Sequence, residues 1–168
     1  MQTLLIQEEQ KFHTLYQMAL HFIKKDECKN LKTMLQSGLN VNFKTYEGQT
    51  LLMLAVLHNS LACARMLLQK GAFVDMCDTK GITPLMQAYY TGNPKMVKLL
   101  LDYGANPNIH NDLGIAFYTL AILSGKWQIV ELLLKYSDTS LSKRISLMIL
   151  YLMKGNLHFK LPHHYARF

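Results

Sequence analysis

The sequence predicts an all-α solenoid of stacked helix–loop–helix units joined by hairpin-like loops. Three observations predict it. Glycines recur every 33 residues, as Gly48, Gly81 and Gly114 and again as Gly38, Gly71 and Gly104. Leucine-rich segments recur at the same step with apolar residues at i, i+3 and i+4, which is one stripe of a helix. Thr50 and Thr83 stand just before apolar segments, where a helix needs a side-chain oxygen to accept from its first free N–H groups.

Each element of the unit follows from such columns. Asn42, Asp75 and Asn108 keep the period, as do Ala55, Ala88 and Ala121. The apolar columns are Leu31/Ala64/Val97/Val130, Met34/Leu67/Leu100/Leu133 and Leu35/Leu68/Leu101/Leu134. The first helix opens at the Thr caps, and Pro84 fits its first position because the missing N–H is one that no helix satisfies there. A second helix ends at Gly71 or Gly104, where a left-handed residue closes the last turn. A protruding loop then leads to the next unit. One unit cannot bury its own apolar face, so neighbours must stack into a continuous core.

At these residues the chain resembles the ankyrin-repeat family, with its period of about 33 residues and its T-P-L-H-x-A signature. The best copy runs Gly81-Ile82-Thr83-Pro84-Leu85-Met86-Gln87-Ala88, then Gly92-Asn93, Val97 to Leu101 and Gly104 to Asn108. The copy before it begins Gly48-Gln49-Thr50-Leu51, and the copy after it Gly114-Ile115-Ala116-Phe117. A degraded first copy closes on Gly38. The resemblance implies repeats at about 13–42, 43–75, 76–108 and 109–141 inside one domain, 1–154. Residues 1–13 extend the first helix. Residues 142–154 form either a helix capping the last repeat or a degenerate fifth repeat, and residues 155–168 are a basic tail.

Departures from the family pattern carry expectations of their own. Met53, Met86 and Thr119 stand where the signature has His, which removes the hydrogen bonds that His makes between neighbouring loops. The fourth copy has Ala116-Phe117 for Thr-Pro and Ser137 for the closing glycine, as a terminal repeat would. Tyr89 replaces a small residue on the inner helix, which puts close helix packing there in doubt.

Composition bounds the function. The chain has 168 residues, 50% of them hydrophobic, enough for one domain with a core. Residues 1–42 carry five Lys against four acids, residues 43–141 eight Lys or Arg against seven acids, and residues 142–168 five Lys or Arg and no acid. The basicity therefore sits in the tail, which argues against the whole domain as a nucleic-acid binder. Cys28, Cys63 and Cys77 form no metal or redox spacing and read as reduced thiols in a cytoplasmic setting, or in a host cytosol for an exported protein. The first ten residues are no secretory signal, and no apolar run is long enough to span a bilayer.

No phosphate loop, nucleophile elbow or HExxH motif is present, so the sequence predicts a chain that is not an enzyme. Asp75, Asp78, Asp102 and Asp112 fall at loop and helix-end positions and read as turn formers. His158, His163 and His164 cluster in the tail with no Cys beside them, and no metal or cofactor is expected. Met34, Met66 and Met96, with Met148 and Met153 in the cap, fall on core-facing columns. Cys63 is expected buried and inert, and Cys77 exposed in a loop.

The resemblance further implies where a partner docks. Ankyrin proteins present the tips of their loops and the exposed side of their first helices as one concave strip. Carried over by position, that strip holds Tyr46, Gln49, Thr79, Ile82, His110, Asp112 and Ile115 on the loops, with Leu113 among them. Leu57, His58, Tyr90 and Thr91 lie on the inner helices, followed by Leu123 and Ser124. Tyr46, Ile82, Tyr90, Leu113 and Ile115 have no core to serve, and apolar residues exposed in one strip point to a partner site.

The resulting expectation is a monomeric, non-catalytic protein-interaction module that binds another protein through this strip, with no small-molecule substrate. One alternative is an effector of an intracellular bacterium or virus that acts on a host protein. The other is a tether whose basic tail binds nucleic acid or an anionic membrane.

Overall fold

The computed structural model of the chain describes residues 2–113 and 117–136, together with residues 140, 142, 143, 145, 146 and 149; the side chains of residues 2–9 and 12 lie outside the description. Among the described residues there are eight helices and no strands. They are α1 (Gln2–Lys24), α2 (Cys28–Gln36), α3 (Leu51–Leu57), α4 (Leu61–Gln69), α5 (Pro84–Thr91), α6 (Pro94–Asp102), α7 (Phe117–Leu123) and α8 (Trp127–Tyr136). Consecutive helices pair within each repeat. The inner helices α1, α3, α5 and α7 pack in a row, and on the outer side α2 lies against α4 and α6 against α8.

The caps are those the sequence expects. Thr50 Oγ1 accepts from Met53 N–H at 3.1 Å and Thr83 Oγ1 from Met86 N–H at 3.3 Å, with Pro84 opening α5. Gly71 and Gly104 adopt the left-handed backbone after α4 and α6.

The turn between the two helices of each repeat shows a column that side-chain identity conceals. Asp26, Asn59, Gly92 and Gly125 keep the period, and all are left-handed, at φ 53°, 55°, 70° and 67°. Asp and Asn are the residues other than glycine that tolerate this region best. The two polar members also link repeats. Asp26 Oδ1 accepts from Cys63 N–H at 3.0 Å, in the first turn of α4, and Asn59 Oδ1 accepts from Asn93 Nδ2 at 3.3 Å. Beside them Ser60 donates its hydroxyl to the Ile23 carbonyl.

The core is the set of repeating columns. Leu31, Ala64, Val97 and Val130 are fully buried, as are Leu67, Leu100 and Leu133. Met53 and Met86, at the signature's His position, are wholly inside. Met96 is buried, while Met34 and Met66 are half-buried against the core. Burying a side chain of this size contributes roughly 1.5–3 kcal/mol, so the stacked columns dominate stability.

Two expectations need correction. Tyr89 does not hinder packing. It is buried on α5, donates its hydroxyl to the Leu120 carbonyl at 3.1 Å, and packs edge-on to Phe117 with ring centroids 6.0 Å apart. Bulk at this position spans to the next repeat instead of wedging it open. Ile82, taken as having no core to serve, is half-buried and packs against the core. It directly precedes the Thr83 cap, and that turn directs its side chain inward. The expected helix at 142–154 and the tail at 155–168 lie largely outside the described residues, although Ile145 is fully buried and Ile149 packs against the core.

Candidate protein-binding face

The loops between repeats are short fingers. In the first described finger, Lys44 and Thr50 form an antiparallel bridge, and Thr45 N–H donates to the Gln49 carbonyl at 3.0 Å. In the second, Asp78 N–H donates to the Ile82 carbonyl at 3.1 Å, and Asp78 Oδ1 accepts from Lys80 and Ile82 N–H at 2.9 Å each. Asp78 is thus the turn former its position implies.

Adjacent fingers are tied into one ridge. Thr79 N–H donates to the Glu47 carbonyl at 3.2 Å, Asp112 N–H to the Lys80 carbonyl at 3.4 Å, and Lys44 Nζ to the Cys77 carbonyl at 2.9 Å. The contact leaves no room for side chains at its glycines. A Cβ at Gly48 would lie 3.0 Å from Thr79 N, and one at Gly81 would lie 2.7 Å from Asp112 Oδ1 and 2.9 Å from its N. At the finger bases, Asn42 Oδ1 accepts from Phe73 N–H at 2.8 Å and Asp75 Oδ1 from Asn106 N–H at 2.9 Å, the same bond one repeat apart. Burial raises the Asp75 carboxyl above its ordinary pKa despite the opposing pull of the Asn106 N–H.

Along this ridge and the inner helices, apolar side chains stand out in water. Tyr46 is 93% exposed and Leu113 80%. Leu57, Tyr90 and Leu123 keep the repeat period at the ends of α3, α5 and α7, with exposures of 44%, 56% and 55%. They form a column of three large exposed side chains, one per repeat. The corresponding residue of α1 is Lys24.

The remaining strip positions separate by role. Thr79, His110 and Asp112 are exposed. Gln49 is half-buried, its N–H donating to Thr45 Oγ1 at 3.1 Å, and serves the finger's own geometry. Thr91 donates its hydroxyl to the Ala88 carbonyl at 3.0 Å, so that donor is already used. His58 is half-buried, and burial followed by the charge of Lys24 lowers its pKa, which favours the neutral ring. Ile115 lies outside the described residues.

One part of the face escaped the sequence argument. A cleft of about 690 Å³ opens between α1 and the first finger, lined by His13, Tyr16, Phe43, Lys44, Tyr46 and Glu47. Burial, then the nearby Glu47 carboxylate, raises the Tyr16 phenol. His13 and Tyr16 lie one period before Tyr46 and Gln49, so the repeat columns carried the signal; it was passed over because the first copy lacks the glycine and threonine that mark the finger in the later copies.

The acids do not converge on a reactive centre. Asp102 accepts from Lys98 Nζ at 2.7 Å and from the Tyr136 hydroxyl on the outer side, which holds its carboxyl below the usual range. Among the described residues no group of three His, Cys, Asp or Glu side chains could hold a metal, and no helix is long and apolar enough to cross a membrane.

The family model for ankyrin repeats (3 copies) matches residues 1–76 and again 72–145. The chain belongs to the ankyrin-repeat family. Ankyrin repeats are generally protein–protein interaction modules, and proteins built from them are typically non-catalytic. No curated protein matches the chain.

Proposed function

We propose that the chain is a non-catalytic module that binds one partner protein through the face made by its fingers and inner helices. The observation that carries this is the column Leu57, Tyr90 and Leu123, large apolar side chains that the fold leaves exposed at equivalent places in successive repeats, together with the exposed Tyr46 on the first finger. Single exposed apolar residues need no explanation, but one that recurs at the same position in three successive repeats does. Thr79, His110 and Asp112 supply polar groups along the edge, as the rim of an interface requires. Ile82 serves the core in this reading, and Gln49 serves the finger.

Site-specific photocrosslinking tests it. A photoreactive phenylalanine analogue at position 46 or 90 should capture the same protein from the source cell, while the analogue at Arg65, on the outer helix α4, should capture none of it. Capture from position 65 alone would place the partner on the outer face.

A further inference from the structure

Charge on the inner helices is confined to one end of the row. Helices α3, α5 and α7 contain no Asp, Glu, Lys or Arg. The column Leu57, Tyr90 and Leu123 begins one repeat earlier with Lys24, and the adjoining column, His58, Thr91 and Ser124, begins with Lys25. Both lysines are exposed, and the Lys24 charge is felt by His58 in the next repeat. The acids that follow them in the chain are engaged elsewhere. Asp26 Oδ1 accepts from Cys63 N–H at 3.0 Å on α4, and Glu27 Oε2 from Asn30 Nδ2 at 2.9 Å on α2. Among the described residues the one ion pair is Lys98 with Asp102, on the outer side. The fingers mix their charges, Lys44 and Lys80 with Glu47, Asp78 and Asp112. The inner-helix row is thus apolar and neutral over three repeats and cationic where α1 ends.

We propose that the partner lays on this row an apolar segment with acidic residues at one end, and that the acidic end lies over Lys24 and Lys25. The inference rests on the binding reading above and adds to it the chemistry of the partner and its direction along the repeats. Charge complementarity selects the acids: two adjacent ammonium groups with no acid facing them attract a carboxylate and repel a cation. The neutral helices select the apolar part, because a charge brought against Leu57, Tyr90 and Leu123 would lose water without gaining a partner. Only one end of the row can receive a charge, so the two ends of the segment are not interchangeable. Neighbouring helices pack about 8–10 Å apart, so the row from Lys24 to Leu123 is about 24–30 Å long, which a helix of about 20 residues would span.

Selection of random peptides of about 20 residues, displayed on phage, against the immobilised full chain tests it. The wild type should enrich peptides with Asp or Glu confined to one end of an apolar stretch. Lys24→Glu/Lys25→Glu should lose that preference and favour Lys or Arg there. Lys32→Glu/Lys95→Glu makes the same change of net charge at exposed positions on α2 and α6, and should keep it. A synthetic copy of an enriched peptide should bind Lys24→Glu/Lys25→Glu about tenfold more weakly than the wild type at low salt, and the difference should shrink as salt rises. Should the reversal lower the melting temperature, Lys24→Gln/Lys25→Gln removes the charges without adding new ones and should also abolish the preference for acids. Peptides without acids overturn the proposal, as does the enrichment of none. A preference that survives the reversal, as one drawn by the basic tail would, overturns it too. Enriched peptides that bind Tyr90→Ala as well as the wild type overturn the binding reading itself. Peptides that need Tyr90 but ignore Lys24 and Lys25 overturn only this inference.

Discussion

The ammonium of Lys126 lies 4.1 Å from the centroid of the Tyr89 ring and donates to the Tyr89 carbonyl at 2.9 Å. Tyr89 sits where Val56 and Ile122 sit in the neighbouring repeats, and its hydroxyl reaches across to Leu120. One residue thus joins the third and fourth repeats by packing, by a hydrogen bond and by a cation over its ring. Tyr89→Val should cost about 2–4 kcal/mol in urea unfolding, since it leaves a void beside Phe117 and removes one of the two hydrogen bonds that the Leu120 carbonyl accepts, the other coming from Ser124 N–H. Lys126→Ala should cost less, about 0.5–2 kcal/mol. The double variant should cost less than the sum, because the two side chains share one contact.

The finger contacts predict unequal costs for the same substitution at two glycines. Gly71 and Gly81 both have positive φ, at 86° and 70°. Nothing lies within 4 Å of a Cβ added at Gly71, whereas one at Gly81 meets Asp112 Oδ1 at 2.7 Å and Asp112 N at 2.9 Å. Gly71→Ala should lose about 1–2 kcal/mol from backbone strain alone. Gly81→Ala should lose more and should loosen the ridge, seen as faster amide exchange at Asp112, whose N–H donates to Lys80.

Asp75 gives a pH-dependent prediction. Its carboxyl is raised by burial, so above its folded-state pKa the ionised form carries a cost that the unfolded chain lacks. That cost fades as pH falls through the folded-state value. Asn42 makes the equivalent bond without a charge. Asp75→Asn should therefore keep the bond to Asn106 and hold or raise the melting temperature at neutral pH. Its advantage over the wild type should shrink as the buffer is acidified through the carboxylate range. A variant that melts lower at pH 7, with an unchanged pH profile, would show that the carboxylate charge itself stabilises the loop.

The three thiols should differ in reactivity. Cys63 is fully buried, and burial, reinforced by the Asp26 carboxylate, pushes its thiol up, leaving no thiolate to react. Cys28 and Cys77 are half-exposed. A chromogenic disulfide reagent should titrate at most two thiols in the native chain, with the third appearing only on denaturation.

The fold was legible because stacking asks the same thing of the same position in every repeat. Leu67, Leu100 and Leu133 are identical for that reason, and the Thr50 and Thr83 caps made the helix starts visible. The left-handed column was harder to see, because backbone geometry there is met by Asp26 and Asn59 as well as by Gly92 and Gly125. Residue type alone split one structural position into unrelated letters. On the inner helices the period placed Leu57, Tyr90 and Leu123 at one position, and all three are exposed there. Ile82 was misplaced because a loop position says little about side-chain direction beside a helix cap. Tyr16 and His13 were missed although they lie one period before Gln49 and Tyr46, because in the first copy these positions continue the 23-residue helix α1 and no glycine or threonine marks a finger there.

The central claim, that partners dock on the finger and inner-helix face, is tested most directly by the affinity of Tyr46→Ala/Tyr90→Ala for the crosslinked partner, read together with its melting temperature. Interface energy concentrates in a few central anchors, and Tyr is prominent among them at about 2 kcal/mol or more each. Tyr46 is 93% exposed, and Tyr90 is 56% exposed with its ring edge-on to Tyr89 at 5.3 Å, so only Tyr90 touches the core, and only at its margin. The account predicts at least about a hundredfold weaker binding, since about 1.4 kcal/mol is tenfold, with a stability loss no larger than the about 0.5–1.5 kcal/mol of the Tyr89–Tyr90 ring pair. Unchanged affinity would contradict it, and so would lost binding accompanied by a large drop in stability, which would make these side chains part of the core.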